Sequence, residues 1–410
     1  MNNYASAVVR VARKHPEGLG CARERDVLDA RIDFEDMERL PDAATERSLL
    51  HAVVELCLEK EVALREGEQL VFPSKFNRER PEYPEPPLRE VSYTFEGTVE
   101  DIYATLVVRL FYCGSFKLKD LWKNAGQFQD SLGKICCFQM KSPDEGHGEI
   151  SVFFHEDVSI DSKVLFLQFI HEHLRKTAQA GSVKRERIYG CLKCKKEIKD
   201  KDAVESRLKA GKKKIRCQYC DEEILLLDLL EEKFGDPELL QRVREMEEEA
   251  TEKKEEAVGV TTLKAKEEIG EFDVFLAHNS EDKSAVKKIG EDLKKAGVRP
   301  WLDEWQVPPF GDWQEELEKV ISKIRTVAVL VGPSGVGPWE KMEIRAFLME
   351  FVERKIKIGL VWLPGCPEDI QIPLFMKVFG WVDFRKDEPD PLGQLIWGIT
   401  GERPPEKGGY

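Results

Sequence analysis

Short apolar runs alternate with amphipathic stretches along the last third of the chain, from Phe272 onward. The strand-like runs are FDVFLAH, VRPWLDE, TVAVLVG, KIGLVWLPG and FGWVDFRK, and helices are predicted at 282–296, 313–323, 338–353 and 391–399. Apolar strands that alternate with helices are typical of a parallel sheet covered on both faces. The pattern therefore predicts a flavodoxin-like α/β domain, in which ligands bind at the carboxyl ends of the strands.

The N-terminal residues 1–77 show mainly helical periodicity, and we predict a winged-helix-like domain there. In the stretch 43–63, apolar residues recur near one helical face, at Leu49, Val53, Leu56 and Val62. Two short apolar pieces around a Gly-Glu turn follow, and a helix followed by a hairpin is typical of a winged helix. Residues 78–90 are rich in proline, which predicts an extended linker.

Residues 91–187 follow the order strand, helix, strand, strand, helix, which predicts a small α+β domain. The two consecutive strands, GKICCFQMKS and GEISVFFHED, meet at PDEGHGE, which predicts a hairpin. Cys136 and Cys137 are adjacent in the first of these strands, so their side chains point to opposite faces of the sheet. We predict that both are buried thiols.

The composition describes an acidic, multidomain chain. Its 410 residues carry a formal charge of -14 and predict two or three domains. The charge argues against a protein whose whole surface binds nucleic acid or anionic lipid, although a local basic patch is allowed. No apolar run reaches the roughly 18–20 residues that span a bilayer, and the N-terminus lacks a signal-peptide pattern. We therefore expect a soluble, cytoplasmic protein, and the cysteine usage fits a reducing compartment.

Two CxxC pairs, CLKC and CQYC, are separated by 22 residues. Such a pair of thiolate turns is typical of a zinc ribbon, in which four cysteines close a tetrahedral shell. We predict a ribbon at 188–227 with a structural Zn²⁺, bound by Cys191, Cys194, Cys217 and Cys220. A redox CxxC is the alternative, but it lacks the thioredoxin-like context and leaves the second pair unexplained.

Opposite charges accumulate around and after the cysteine pairs. Residues 183–216 carry 14 Lys or Arg against 5 Asp or Glu, whereas residues 221–256 carry 15 acids against 5 bases. The basic segment either contacts nucleic-acid phosphates or pairs with the acidic segment, and we favour the pairing because the two are adjacent. The acidic stretch belongs to a helical linker at 228–270, which we predict to be solvated and not part of a core.

Three motifs in the C-terminal segment resemble the TIR (Toll/interleukin-1 receptor) domain, over about residues 271–402 and ahead of a tail at 403–410. They are FDVFLAHNSEDK, GVRPWLDEWQVPPFGDW and GPWEKMEIRAFL. In the NAD-cleaving branch of that family, the helix resembling the third motif carries a glutamate four residues after a tryptophan. The resemblance implies that Glu343 is the catalytic carboxylate and Trp339 its aromatic neighbour. The loop after the second strand departs from many members, because VPPFGDW replaces a shorter run before Gly-Asp.

Such a site makes chemical sense, because cleaving the nicotinamide–ribose bond builds positive charge on the sugar as neutral nicotinamide leaves. One carboxylate near the ribose stabilises this charge, and Trp339 would stack on nicotinamide or adenine. The further candidate substrate contacts are His278, Asn279, Ser280, Asp303, Trp305, Gly311 and Asp312. Other interpretations stay open.

Glu343 at a helix start also favours the helix dipole without any further role. Asp303 and Glu304, which we expect to end a strand, are equally ordinary loop carboxylates. His278 is as readily a polar loop residue as a ligand contact. The glycine-rich GPSGVGPWEK is not a phosphate loop, because Pro338 stands where lysine is required.

The N-terminal region, about residues 1–230, resembles a module found beside STAND-type ATPases and Roc GTPases in bacterial multidomain proteins. The motifs that carry the resemblance are NYASAVVRVAR, FPSKFNRERP, IYATLVVRL, KDLWKNA and the CxxC ribbon. Those ATPases need a P-loop, and this sequence has none. The resemblance therefore implies a stand-alone sensor or assembly module, or one driven by a partner.

Together the resemblances imply an NAD⁺-consuming TIR effector of prokaryotic, anti-phage immunity, with NAD⁺ as substrate and no membrane partner. It would act as a homo-oligomer through its TIR domains and release nicotinamide with ADP-ribose or its cyclised form. The second hypothesis is a non-enzymatic TIR adaptor that only recruits partners. A third, less favoured, is a nucleic-acid-binding regulator that uses the wing and Lys212, Lys213 and Lys214.

Overall fold

The computed structural model of the protein describes six stretches of the chain. They are residues 2–13, 20–28, 39–81, 88–226, 229–335 and 350–403. The chain divides into two compact units, Met1–Lys254 and Glu255–Tyr410, which we call unit 1 and unit 2.

Unit 1 begins with helices and a three-stranded antiparallel sheet. Its elements are α1 Asn2–Arg13, β1 Cys21–Arg23, α2 Glu24–Leu28, α3 Ala43–Glu59, β2 Leu64–Glu66, β3 Gln69–Val71 and a 3-10 helix at Pro73–Lys75. The strand order is β1-β3-β2. Asp42 caps α3 by accepting a hydrogen bond from the Thr45 N–H, and Gly67, with φ of 60°, forms the turn between β2 and β3. The predicted order of a helix followed by a hairpin is confirmed.

The buried face of α3 differs from the predicted one. The apolar residues that face the core are Leu50, Val53, Val54, Cys57 and Leu58. Of the predicted residues only Val53 belongs to this set, because Leu49 and Leu56 are half-buried and Val62 is exposed. Val62 is misplaced because α3 ends before it, whereas Leu49 and Leu56 lie within α3 at the border of its buried face.

A six-stranded antiparallel sheet follows in unit 1. Its strands are β4 Arg89–Glu96, β5 Lys117–Trp122, β6 Ala125–Gln129, β7 Ile135–Lys141, β8 His147–Phe154 and β9 Lys184–Arg187. They are arranged in the order β5-β6-β7-β8-β4-β9. Two helices pack on the sheet, α4 Val99–Tyr112 and α5 Ile160–Thr177. The Tyr93 hydroxyl donates a hydrogen bond to the carbonyl oxygen of Leu167 in α5, which ties that helix to β4.

The predicted hairpin between β7 and β8 is confirmed. Cys136 and Cys137 are both buried, as predicted, and burial raises the pKa of each thiol. The sequence did not predict β5, β6 and β9, because stretches such as KLKDLW and KRER carry too few apolar residues to stand out from loops. These three strands form because their backbones hydrogen-bond to neighbouring strands of the sheet.

The cysteine pairs and the acidic stretch complete unit 1 and lead into unit 2. The elements are α6 Lys201–Lys209, β10 Lys214–Arg216, β11 Glu223–Leu225, α7 Leu229–Lys233 and α8 Pro237–Ile269. The 33-residue α8 confirms that the acidic stretch is helical. The expectation that it contributes nothing to a core is wrong, because Val243, Met246 and Ala250 are buried at helical spacing along one face.

Unit 2 contains a five-stranded parallel sheet. Its strands are β12 Phe272–Ala277, β13 Pro300–Trp301, β14 Ile324–Val331, β15 Lys357–Trp362 and β16 Trp381–Asp383. Its helices are α9 Lys283–Lys295, α10 Asp303–Gln306, α11 Trp313–Val320 and α12 Pro391–Thr400, with 3-10 helices at Ser280–Asp282, Ile321–Lys323 and Leu374–Val378. The strand order β13-β12-β14-β15-β16 is the flavodoxin-like order.

Apolar clusters cover both faces of this sheet. In β14, Val327 and Val329 belong to one cluster, whereas Ala328 and Leu330 belong to the other. This alternation follows from the two-residue repeat of a strand. The predicted flavodoxin-like sheet, buried on both faces, is confirmed.

Two expectations about this domain change. The strand β13 ends at Trp301, so Asp303 and Glu304 begin the short helix α10 and do not end a strand. The helix predicted at 338–353 lies largely outside the described residues. Within the described ranges, none of the helices combines the length and the apolar character that crossing a bilayer requires.

Candidate functional site

The four cysteines of the two CxxC pairs lie together in unit 1. All four Sγ atoms are within 4.8 Å of one another. The Sγ atoms of Cys191 and Cys220 are 3.4 Å apart, and those of Cys194 and Cys217 are 3.6 Å apart. The sequence prediction that these four residues form one cluster is confirmed.

Each CxxC pair forms the same backbone turn. Lys195 and Asp221, the residues that follow the two pairs, have φ of 56° and 65°. The Lys195 N–H donates to the carbonyl oxygen of Cys191 at 2.8 Å, and the Asp221 N–H donates to that of Cys217 at 2.9 Å. Two equivalent turns thus present their thiols to a common centre.

One thiol of the cluster, that of Cys217, is stabilised as a thiolate. The Tyr219 N–H donates to Sγ of Cys217 at 3.4 Å, and this hydrogen bond lowers the pKa of that thiol to about 7. Apolar side chains, among them Tyr189, Ile215 and Leu226, form a small core beside the sulfurs. Four clustered cysteine sulfurs are the donor set that Zn²⁺ and other thiophilic metals accept.

Basic residues near the cluster pair with the acidic segment that follows. The ion pairs join Lys193 to Glu222, Lys214 to Glu223, Arg216 to Asp221 and Arg185 to Glu231. The favoured pairing of the two segments is confirmed for these residues. Lys212 and Lys213 take part in no ion pair with any other described residue.

At the carboxyl edge of the parallel sheet, His278 from the loop after β12 meets Asp303 at the start of α10. Nδ1 of His278 lies 3.0 Å from the carbonyl oxygen of Leu276. Because a carbonyl only accepts, Nδ1 carries a proton and Nε2 faces Oδ1 of Asp303 at 3.8 Å. Lys283 holds the other carboxylate oxygen of Asp303 at 3.2 Å. These contacts bring together two candidates that the sequence placed on separate strands.

Asn279 and Ser280 follow His278 in the loop after β12. The Asn279 side chain donates from Nδ2 to the carbonyl oxygen of Ser334 at 2.8 Å and accepts from the Glu281 N–H at 3.2 Å. Ser280 is exposed at the start of the 3-10 helix. Asn279 therefore links the loop after β12 to the loop after β14.

The Trp305 ring packs on helix α9. A Cβ atom at Gly290 would lie 2.7 Å from the ring, so only glycine fits beneath it. Nζ of Lys294 lies 3.5 Å from the ring centroid, and burial lowers the pKa of this lysine. The ring is therefore occupied by contacts within the protein.

Gly311 and Asp312 end the loop that follows α10. The Gly311 N–H donates to the carbonyl oxygen of Pro308, and the carbonyl oxygen of Asp312 accepts from the Glu316 N–H in α11. Phe310, which immediately precedes Gly311 in this loop, has φ of 71° and is fully exposed. Such a backbone angle is rare for a bulky residue. The loop thus presents an aromatic side chain to solvent.

Glu343 and Trp339 lie outside the described residues. The loop after β14 is described up to Gly335, and the chain is described again from residue 350.

Several charged residues at this edge were not candidates from the sequence. Asp282 is buried beside Gly332, and Lys283 holds Asp303. After β16, Arg385 forms two hydrogen bonds with Asp383 and lowers the pKa of that carboxyl. In the sequence these residues are distinguished only because they lie near the end of a strand, a position that many solvated residues share.

Comparison with known proteins finds similarity to a curated protein and to a solved structure. Over 103 residues the chain is 30% identical to the NAD(+) hydrolase TcpA of Theionarchaea archaeon (strain DG-70-1). The match covers 25% of this chain and spans 31% of the length of that relative. Among solved structures, the TIR domain of the Toll-related receptor TRR-2 from Hydra magnipapillata matches 31% of this chain and 98% of its own, with 15% identity and a TM-score of 0.26.

The family comparison covers the parallel sheet described above. Residues 274–396 match the family model described as the TIR domain. The matched range begins in β12 and ends within α12, so it includes all five strands. The C-terminal part of this chain is a TIR domain.

Proposed function

We propose that this protein is an NAD⁺ glycohydrolase whose TIR domain cleaves the nicotinamide–ribose bond. The observation that carries the proposal is the similarity of the TIR segment to an archaeal protein named as an NAD(+) hydrolase. The motif in which Glu343 follows Trp339 by four residues supports the same activity. Glu343 is the proposed catalytic carboxylate, and Trp339 is its proposed aromatic neighbour.

The reaction needs little beyond electrostatic stabilisation. The bond between the ribose C1 atom and the nicotinamide nitrogen breaks, and its electron pair neutralises the leaving ring. A carboxylate on the ribose side stabilises the oxocarbenium-like sugar. A water oxygen then bonds to C1 and loses a proton, so NAD⁺ and water yield nicotinamide, ADP-ribose and H⁺.

Side chains at the carboxyl edge fit a hydroxyl-rich substrate. The Asp303 carboxylate is partly exposed, and its position is held by Lys283 at 3.2 Å. A carboxylate accepts hydrogen bonds from ribose hydroxyls. Asp303 is therefore the proposed ribose contact, with His278, Ser280, Gly311 and Asp312 as further proposed contacts around it.

We propose that TIR domains must assemble for turnover. Phe310 is fully exposed on the loop after α10, and a separate group of exposed apolar residues comprises Leu374, Val378 and Trp381. An apolar protrusion and an apolar patch elsewhere on one domain favour head-to-tail contacts between copies. The same surfaces also fit a non-enzymatic adaptor, which is the second candidate function.

The four clustered cysteines are proposed to hold a structural Zn²⁺. The donor set fits, because four sulfurs lie within 4.8 Å of one another and a backbone N–H favours the thiolate of Cys217. Zinc in such a site cross-links two turns that are too small to fold alone. With four cysteine ligands, the role is structural.

The N-terminal region is proposed to sense a trigger or to drive assembly, in a defence role against phage. The order of a helix and a hairpin in residues 43–71 fits a winged helix. We also propose that the domains have the boundaries expected from the sequence, at 1–77, 91–187, 188–227 and 271–402.

The test is NAD⁺ consumption and nicotinamide release by the full chain over a range of protein concentrations. We expect turnover to rise more than linearly with concentration and to fall by at least about a thousandfold in Glu343→Gln, because the main electrostatic stabiliser is lost. Wild-type turnover that persists in Glu343→Gln would contradict the catalytic assignment. No turnover at any concentration, with self-association intact, would favour the adaptor.

A further inference from the structure

Helix α5 packs on the six-stranded sheet of unit 1 with one face only. Its Phe166 ring meets Phe128 and Phe154 of the sheet, with ring centroids 6.2 and 5.9 Å away. Gln168 follows two residues later, which is about 200° around a helix, so it lies on the face turned away from the sheet. Gln168 is nevertheless only 2% exposed. A second layer therefore covers this outer face of α5.

The covering layer is the segment 229–254, which comprises α7 and the first half of α8. We call this segment the strap. Its contacts with α5 are Lys233 to Asp161 at 2.6 Å, Phe234 to His171 with ring centroids 5.7 Å apart, and Glu247 to Lys176 at 2.5 Å. Gln168 lies seven residues after Asp161 and three before His171, so it belongs to the covered face. The strap thus follows α5 from its first turn to its last.

The strap buries polar atoms without satisfying them. Neither Nε2 nor Oε1 of Gln168 has a hydrogen-bond partner among the residues that the structure describes. Nδ1 of His171 and Nε of Arg185, two residues that contact the Phe234 ring, are likewise buried without a partner in the described part of the chain. Water would satisfy these atoms if the strap moved away, so their burial opposes closure.

Other contacts hold the strap in place. Arg185 of β9 forms two hydrogen bonds with the Glu231 carboxylate in α7, at 2.9 and 2.6 Å. Its guanidinium lies 3.9 Å from the Phe234 ring centroid, which adds a cation–π contact. The buried apolar residues of the strap are Leu230, Leu239, Val243, Met246 and Ala250. Closure therefore sets apolar burial and an ion pair against an amide that has no partner.

We infer that the strap is a displaceable cover, which separates from α5 while the sheet stays folded and which then exposes the face around Gln168 and His171. Because the unpaired amide opposes closure, the closed and open forms differ less in free energy than the folded and unfolded chain. The inference goes beyond the proposed cleavage of NAD⁺, since it assigns a moving part within unit 1 and does not depend on turnover.

Hydrogen exchange of the full chain, followed by mass spectrometry, measures the opening. Peptides of the strap are compared with peptides of β7 and β8, under conditions where the rate reports the opening equilibrium. We expect the strap to be at least about a hundredfold less protected than β7 and β8. Its exchange should also depend only weakly on low concentrations of urea, because local opening exposes little surface compared with global unfolding.

Gln168→Met tests the unpaired amide. Methionine is unbranched and adaptable, so it fills the same space without a buried amide. We expect exchange in the strap to become about tenfold slower, because closure no longer leaves the amide unsatisfied. Gln168 belongs to α5, so its substitution slows exchange in the strap only if opening separates the two. Gln241→Met, at an exposed glutamine of the strap, is the matched control and should change exchange less than about twofold.

Glu231→Gln tests the contacts that hold the strap closed. The variant weakens the pair with Arg185 and should make exchange in the strap at least about threefold faster, with the sheet still folded by circular dichroism. Glu232→Gln, at the next and exposed residue, is the matched control and should leave exchange unchanged.

Two results would overturn the inference. If the strap is as protected as β7 and β8 and responds equally to urea, it opens only when unit 1 unfolds. If exchange in the strap is unchanged in Gln168→Met, its helices fluctuate without leaving α5. Neither result involves NAD⁺, so a failure of the proposed enzymatic function is recognised separately, by the turnover assay.

Discussion

The cysteine cluster and the carboxyl edge of the parallel sheet differ in the origin of their side chains. Each half of the cluster comes from four consecutive residues, and the two halves form the same backbone turn. At the sheet edge, His278, Asp303 and Ser334 come from three separate segments that follow β12, β13 and β14. The first site depends on local geometry, whereas the second depends on how the strands are ordered.

This difference governs what each residue can do. In the cluster, the Sγ atom of each cysteine lies within 4.8 Å of the other three. A polar residue at the sheet edge has protein partners that compete with any substrate. Asn279, Trp305 and Asp303 all have such partners, but the Asp303 carboxylate also stays partly exposed. Residues predicted to share one role therefore differ in how much of the side chain remains accessible to a substrate.

The largest effect is expected at the cysteine cluster. Cys217→Ser should abolish zinc binding and loosen the hairpin β10–β11, because the tetrahedral shell loses a ligand. Zinc content per chain, measured by mass spectrometry of the purified protein, checks this. Cys366→Ser, at a buried cysteine outside the cluster, is the control and should retain the metal. One zinc per chain in Cys217→Ser would contradict the assignment of Cys217 as a zinc ligand.

His173 is a buried histidine outside both sites, and it shows how strongly a purely structural group can make stability depend on pH. Burial lowers the pKa of His173 from 6.5 to about 4, so the unfolded chain binds its proton first as pH falls. Stability is fully present above pH 6.5 and is lost toward pH 4, by about 3 kcal/mol at 1.36 kcal/mol per pKa unit. The free energy of unfolding in urea, compared at pH 7 and pH 5, checks this.

His173→Gln should remove most of that pH dependence. The Thr105 hydroxyl donates to the carbonyl oxygen of Asp101, so Nε2 of His173 donates to the hydroxyl oxygen in the neutral form. Glutamine can keep a donor there without titrating. An unchanged slope in His173→Gln would refute this assignment.

A smaller effect is expected at Trp305. Trp305→Ala should lower the free energy of unfolding of unit 2 by about 2 kcal/mol, because a half-buried ring leaves helix α9. KM for NAD⁺ should change little. Trp397→Ala, at a more exposed tryptophan in α12, should cost less stability. A large rise in KM without loss of stability would show that the Trp305 ring contacts the substrate and does not serve only to pack on α9.

The smallest effect is expected at the basic residues near the cluster. Lys214→Gln breaks an exposed ion pair with Glu223, and such pairs often contribute nothing measurable. We expect an unchanged melting temperature.

Replacing Lys212, Lys213 and Lys214 together tests the nucleic-acid hypothesis, which predicts DNA or RNA binding that weakens steeply with salt and is lost in the triple variant.

Much of the fold was predictable where the sequence pattern is strong. The five strands of unit 2 and the helices α9, α11 and α12 follow from apolar runs and periodicity, and the hairpin β7–β8 follows from its turn residues. Strands β5 and β9 were not predictable, because their pairing partners stabilise them more than their own residues do. The buried face of α3 was also misplaced, since the end of the helix depends on its cap.

The sequence by itself determined the clustering of the four cysteines, the β/α alternation and the motifs of the TIR domain. These features depend on covalent spacing and on local turns, which act over a few residues. Only the tertiary structure decided that His278 faces Asp303, that Trp305 packs on α9 and that Asn279 hydrogen-bonds to Ser334. Those choices depend on distances between loops that become neighbours only when β13, β12 and β14 lie side by side in the sheet.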